Sequence, residues 1–323
     1  MISFTIAVIV LIVGYVVYGK VAERVFGIEP DRPTPAISNP DGVDYVPLPW
    51  WKAFLIQFLN IAGLGPIFGA IMGIMYGSSA FLWIVFGTIF GGAVHDYMSG
   101  MMSVRANGAS LPELVGKELG NSVKVFMNIF SIGLMVLVGA VFISGPAELL
   151  NNMTTGAIGV TWWIVIIFTY YILATLLPID KIIGKIYPVF GLALLIMVVG
   201  ILIALYVNNA AVPEFSAGFA NQHPQQLPIF PMMFISIACG AVSGFHATQS
   251  PLMARCIQNE KYGRRVFYGS MVVEGIVALV WAAAAASFFG SIEGLQEYVG
   301  GLAPTANKPA VVVDVIAKTW LGP

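Results

Sequence analysis

Eight apolar runs, each close to the length that crosses a bilayer, constrain this chain more than any other feature. They cover about 2–19, 53–76, 79–103, 125–147, 158–178, 186–207, 228–250 and 266–290. A hydrocarbon core is crossed by roughly 20 apolar residues in a helix, and lipid offers no water to backbone groups left unpaired. The expected fold is therefore all-α and polytopic. Composition points the same way: 58% of the 323 residues are hydrophobic and 10% are charged, against about 25% charged in soluble domains. With a net charge of −1 and no basic tract, a nucleic-acid partner is excluded. The first run, MISFTIAVIVLIVGYVVYGK, has neither a positive leader nor a small-residue cleavage site, so it reads as a retained span rather than a signal peptide. Cys239 and Cys256 fall in a span and in a cationic loop, which makes a structural disulfide unexpected.

Charge divides the loops into two sets. Lys20, Arg24, Arg32 and Lys52 lie between runs one and two; Arg105, Lys117 and Lys124 between three and four; Lys181 and Lys185 between five and six; Arg255, Lys261, Arg264 and Arg265 between seven and eight. The alternate loops, 77–79, 148–157 and 208–227, hold no Lys or Arg. Positive loops stay in the cytoplasm, so the expected location is the cytoplasmic (inner) membrane with the N-terminus outside. Residues 1–27 form an extra first helix and 28–51 a cytoplasmic loop. Residues 52–207 form a first five-helix unit, 208–227 an external loop, 228–290 the start of a second unit and 291–323 a tail. Within the 105–124 loop, SLPELVGKEL reads as a short helix with Ser110 as N-cap and Glu113 in its first turn.

Two runs are broken. Gly63-Leu64-Gly65-Pro66 interrupts the second, and Pro66 is expected to open a new helix whose free N–H groups form an anion site. Gly240, Ser243 and Gly244 interrupt the seventh, followed by His246, Thr248, Gln249, Ser250 and Pro251. Irregular backbone inside a membrane must be buried in protein or line a cavity. Because five is odd, the two broken spans cross in opposite directions, the pattern of an inverted repeat with discontinuous first helices, as in LeuT-like carriers. Only spans seven and eight of a second repeat are present, so its remaining helices are expected from a further stretch of chain or a second chain.

Ionisable residues inside a membrane mark function by default. Asp96 and Glu274 lie about 10–12 Å from the cytoplasmic ends of their spans at 1.5 Å per residue, and His246 falls at a similar depth. These three are the candidate proton-coupling residues. Arg105 is too distant along its helix to pair with Asp96. His95 points about 100° away from Asp96 and reads as structural. Gln57, Asn60, Gly63 and Gly65 before and in the first break, with Ser243, Gly244, His246 and Gln249 at the second, are candidate substrate contacts. Ser243, His246 and Ser250 would share a helix face. No metal-ligand spacing, cofactor motif or nucleophile–base set is present, so an enzyme is not expected.

FLNIAGLGPIFGAIMG (58–73), HDYMSGMMSVRANGASLPELVG (95–116), LPIDKIIGKIYPVFG (177–191) and CGAVSGFHATQSPLMARCIQNEKYGRRVFYGSMVVEGIVALVWAA (239–283) together resemble the carbon starvation (CstA) family. That resemblance implies a cytoplasmic-membrane transporter of peptides or, for some members, of pyruvate with protons, related to amino acid–polyamine–organocation carriers. It also implies that Gly63-Leu64-Gly65 faces a substrate carboxylate. Family members are longer. The function expected is import of a small carboxylate or short peptide, coupled to protons or to sodium in their place. The alternatives are a metabolite-binding membrane sensor, a structural subunit, or a piece inactive without its missing helices.

Overall fold

The computed structural model describes residues 1–154, 156–176, 183–304 and 306–321. Among them the regular elements are all helices, and one β-bridge pairs Leu48 with Ile257. Lys181 and the side chain of Lys185 lie outside the described residues, as does the end of the fifth apolar run.

Among the described residues five unbroken helices are long and apolar enough to cross a bilayer, and counting each of two bent pairs as one span brings the number to seven. The unbroken ones are the first span (Ile2–Phe26), the third (Ser79–Arg105), the fourth (Asn121–Met153), the sixth (Tyr187–Val207, within the helix Ile183–Val207) and the eighth (Glu260–Phe288). His95 and Asp96 do not interrupt the third span. The described part of the fifth apolar run forms a helix over Val160–Thr175, 16 residues, and residues 177 and 178 of the expected 158–178 lie outside the described residues. The tail forms two short helices, Ile292–Gly301 and Lys308–Leu321.

The second span bends by 49° between Trp50–Ile61 and Leu64–Tyr76. Its second half starts at Leu64 rather than at Pro66. Proline is accommodated in the first turn all the same, since the first four N–H groups of a helix have no intrahelical partner. The seventh span bends by 68° between Ile229–Ser236 and Ala238–Ala254. Helical geometry lapses at Val242 (φ −151°, ψ 77°) and resumes at His246.

These two bent spans pack directly on one another. Gly65, Gly69 and Gly73 recur every four residues on one face of the second span. A Cβ on them would run into Cys239, the Ser236 carbonyl and Ile237 respectively, and a Cβ at Gly240 would press on Ala278 and Pro66. Small residues at such spacing let membrane helices approach backbone to backbone. The eighth span closes the assembly from behind: Val277–Ala286 is almost wholly buried, including five consecutive alanines from Ala282. The fourth span is its opposite, with no residue of its most apolar stretch buried.

At one end the loops expected to share a side meet in a polar lattice. Glu260, fully buried, accepts from Arg105 Nε at 3.2 Å and Nη2 at 3.1 Å and from the Glu29 backbone N–H at 2.8 Å. Arg105 also donates to the Gly27 carbonyl at 2.5 Å and lies 4.2 Å from the Phe26 ring. Arg255 donates to the Gly108 carbonyl, and Leu48 N–H to the Cys256 carbonyl. Both cysteines are free, and burial pushes the Cys256 thiol up to about 11. The expected helix after Ser110 is present over Leu111–Leu119, and Ser110 and Glu113 cap it reciprocally. At the other end Glu214 accepts from the Ile2 and Ser3 N–H groups and from the Met1 amino group. Burial opposes its charge, but these donors at a helix N-terminus outweigh burial and hold the carboxyl down at about 2.

Candidate functional site

The third span carries a π-helical stretch, Gly87–Gly92, immediately before the α-helical turn holding Asp96. An extra residue in a turn rotates everything beyond it and is frequent at functional sites. Here Thr88 lies buried against the seventh span, its hydroxyl 3.4 Å from the Gly240 carbonyl. Asp96, Glu274 of the eighth span and His246, the first residue of the resumed seventh helix, are all fully buried and meet.

His246 Nδ1 lies 2.9 Å from Asp96 Oδ2. An N–H at Nδ1 donates to that carboxylate and leaves Nε2 as the free face of the ring. Nε2 is 3.6 Å from Glu274 Oε2, outside hydrogen-bond length, and neither it nor either Glu274 oxygen has a hydrogen-bond partner. With the imidazole protonated and both carboxyls ionised the trio carries one net negative charge. One more proton makes it neutral. A small approach of the eighth span would bring Glu274 into contact with Nε2 and let the imidazolium's Nε2 proton pass to the ionised Glu274, leaving a neutral ring and a protonated carboxyl with the trio's charge unchanged.

His95 is part of the same network, contrary to the sequence-based expectation. Its Nδ1 sits 3.0 Å from Asp96 Oδ1, with the side chain 35% exposed. Helical spacing separates the directions of successive Cα–Cβ bonds, but two flexible side chains can curl toward each other around that angle. Asp96 therefore accepts on both oxygens, one from a buried ring and one from a ring that reaches the protein surface.

The remaining candidates are distributed around this trio. Gln57 is buried and its Nε2 points at Ser250 Oγ, 3.5 Å away, while Oε1 has no partner. Gln249 is buried with its Nε2 unpartnered, and Asn60 is half-buried. Ser243 does not share a helix face with His246, because it sits in the non-helical break; its hydroxyl lies 3.8 Å from Cys239 Sγ. Gly63 and Gly65 face protein, the Phe142 ring and the Cys239 side chain, whereas Gly244 is exposed beside open space. The Glu260–Arg105 pair went unnoticed in the sequence. Its two residues stand 155 positions apart, and no local pattern links them.

Two bent helices packed at their breaks, with a buried titratable trio spanning three helices, define a class: a multi-span helical membrane protein with a polar site inside its core. The family model of the carbon starvation protein CstA matches residues 1–162 and 159–318, and the chain belongs to that family. It is 45% identical to an uncharacterized membrane protein of Haemophilus influenzae, over 93% of this chain and 94% of that one. It is 27% identical to the pyruvate/proton symporter BtsT of Escherichia coli, over 86% of this chain and 48% of that protein. Against the peptide transporter CstA of the same organism the identity is 28%, over 85% and 48%. The chain thus spans about half the length of these two transporters. No solved structure matches it.

Proposed function

We propose that this chain acts in secondary transport of a small carboxylate or short peptide across the cytoplasmic membrane, coupled to protons through Asp96, His246 and Glu274. The observation that carries the reading is the buried trio itself, which stands at the break of the seventh span with two carboxylate oxygens and a ring nitrogen unpartnered. A group of that kind is rare in a membrane interior and belongs to proton and ion pathways. The relatives named as a pyruvate/proton symporter and as peptide transporters support the substrate class. The N-terminus lies outside in this reading, and the two bent spans begin two inverted repeats, the second continued by further helices. Substrate binds beside the bends, using Gln57, Asn60, the Gly63–Gly65 backbone and the open side of Gly244, with Ser243 and Gln249 bordering it. Since Cys239 and Phe142 now lie against Gly65 and Gly63, admitting substrate requires the bends to separate.

Proteoliposomes test this with labelled pyruvate and a labelled dipeptide. One substrate should accumulate under an inward proton gradient. Glu274→Gln should keep counterflow exchange while accumulation falls at least tenfold. Gradient-indifferent accumulation in the wild type would defeat the reading. A second reading, a subunit that binds the metabolite but conducts it only with added helices, is favoured by the unburied fourth span. It requires substrate binding without counterflow.

A further inference from the structure

A groove of about 370 Å³ runs between the first, second and eighth spans, away from the trio. Its walls are Ile12 and Tyr15 of the first span, Trp50 and Phe54 of the second, and Arg265, Gly269, Val272, Val273 and Ile276 of the eighth. The eighth-span residues recur at helical spacing on one face, and glycine at 269 leaves the floor low between Tyr15 and Phe54. From Arg265 to Ile276 is eleven residues, about 16 Å at 1.5 Å per residue. That is close to one leaflet, about half of a 30 Å hydrocarbon core.

The mouth of the groove is chemically unlike its depth. Arg265 is exposed and its guanidinium lies 5.1 Å from the Trp50 ring. Among the described residues no carboxylate lies within ion-pair reach of it. The adjacent Arg264, by contrast, is held by Glu23 at 3.1 Å. A planar guanidinium at the membrane surface without an anion is suited to a phosphate, which it grips through two parallel N–H donors. The tryptophan beside it belongs at headgroup level. We infer that this groove binds one anionic phospholipid, its acyl chain lying against Ile12, Phe54, Val272 and Ile276 and its headgroup phosphate on Arg265. The occupant is a single-leaflet lipid, because the groove is one leaflet deep and only its mouth is charged.

Native mass spectrometry of the purified chain, titrated with phosphatidylglycerol or with phosphatidylcholine of identical acyl chains, decides the matter. Phosphatidylglycerol should bind about fivefold more tightly, the preference that one surface cation gives for an anionic lipid. Arg265→Gln should erase that preference while phosphatidylcholine still binds. Ile12→Trp, at an exposed apolar position that a bulky ring would use to fill the groove, should weaken both lipids. Lys261→Gln, at another exposed cation of the same loop, should leave the preference intact. Equal affinity of the wild type for the two lipids would overturn the assignment. So would wild-type binding by Ile12→Trp, or loss of preference in Lys261→Gln as large as in Arg265→Gln. A thermal melt of each variant distinguishes lost binding from lost fold, and if Arg265→Gln melts early the Ile12→Trp and Lys261→Gln arms carry the decision.

Discussion

The two bent spans look alike on paper and are built for different tasks. In the second, helix gives way to helix across Ala62 and Gly63 and the bend is 49°. Its glycines face outward onto a neighbour, so the break and the half-helix after it form a surface for close contact. In the seventh the 68° bend falls at Ile237, and helical geometry lapses a second time at Val242 before the helix resumes at His246. The residues that follow are buried and polar: His246, Gln249 and Ser250. One break lets two backbones meet, and the other brings a titratable ring to two carboxyls. Glycine in a membrane helix therefore does not by itself announce a binding site; the polar groups beside it decide.

That contrast can be broken most forcefully at Gly69, where an added Cβ meets the Ser236 carbonyl, a backbone atom with no rotamer to yield. Gly69→Val should cost about 3 kcal/mol or more, the upper range of overpacking, read as a collapse of the melting temperature in detergent. A variant that melts like the wild type would show that the second break is not a packing surface. Next in size is the polar lattice that anchors the eighth span beyond the second break. Arg105→Ala leaves the buried Glu260 carboxylate only the Glu29 N–H at 2.8 Å and Arg32 at 4.0 Å and should cost up to about 3 kcal/mol, whereas Arg105→Lys, which keeps the charge and loses the fork, should recover part of the loss. The smallest effect belongs to Gly244. Open space lies beside it and its backbone needs no left-handed geometry. Gly244→Ala should change stability by less than about 0.5 kcal/mol, and Gly244→Trp should leave the melting temperature nearly unchanged while blocking substrate. If Gly244→Ala proves as damaging as Gly69→Val, the distinction between the two breaks is lost.

Much of this architecture is legible in local sequence because its causes are local. Apolar length marks the spans, SLPE marks the capped helix at 110–119, and Gly-Pro and Gly-Ser clusters mark the bends to within a few residues. Counting along each span picks out Asp96, Glu274 and His246 as intramembrane ionisable residues, and the structure places His246 2.9 Å from Asp96 and 3.6 Å from Glu274. What local pattern does not hold is which groups touch. His95 joins Asp96 through side-chain torsions that helical spacing leaves open. Glu260 finds Arg105 only after three loops have met. Gly65, Gly69 and Gly73 could equally have faced lipid; their packing on the seventh span depends on how the bends orient the half-helices. Ser243 loses its helical relation to His246 because the chain unwinds between them.

The run of five buried alanines in the eighth span has a mechanical meaning. Helices interlock by seating the ridges of one in the grooves of another, and a stretch of methyl groups has almost no ridge to seat. Neighbours can turn against such a surface without lifting over a side chain. One leucine at Ala284 would act as a pawl: Ala284→Leu should slow counterflow severalfold while substrate affinity holds.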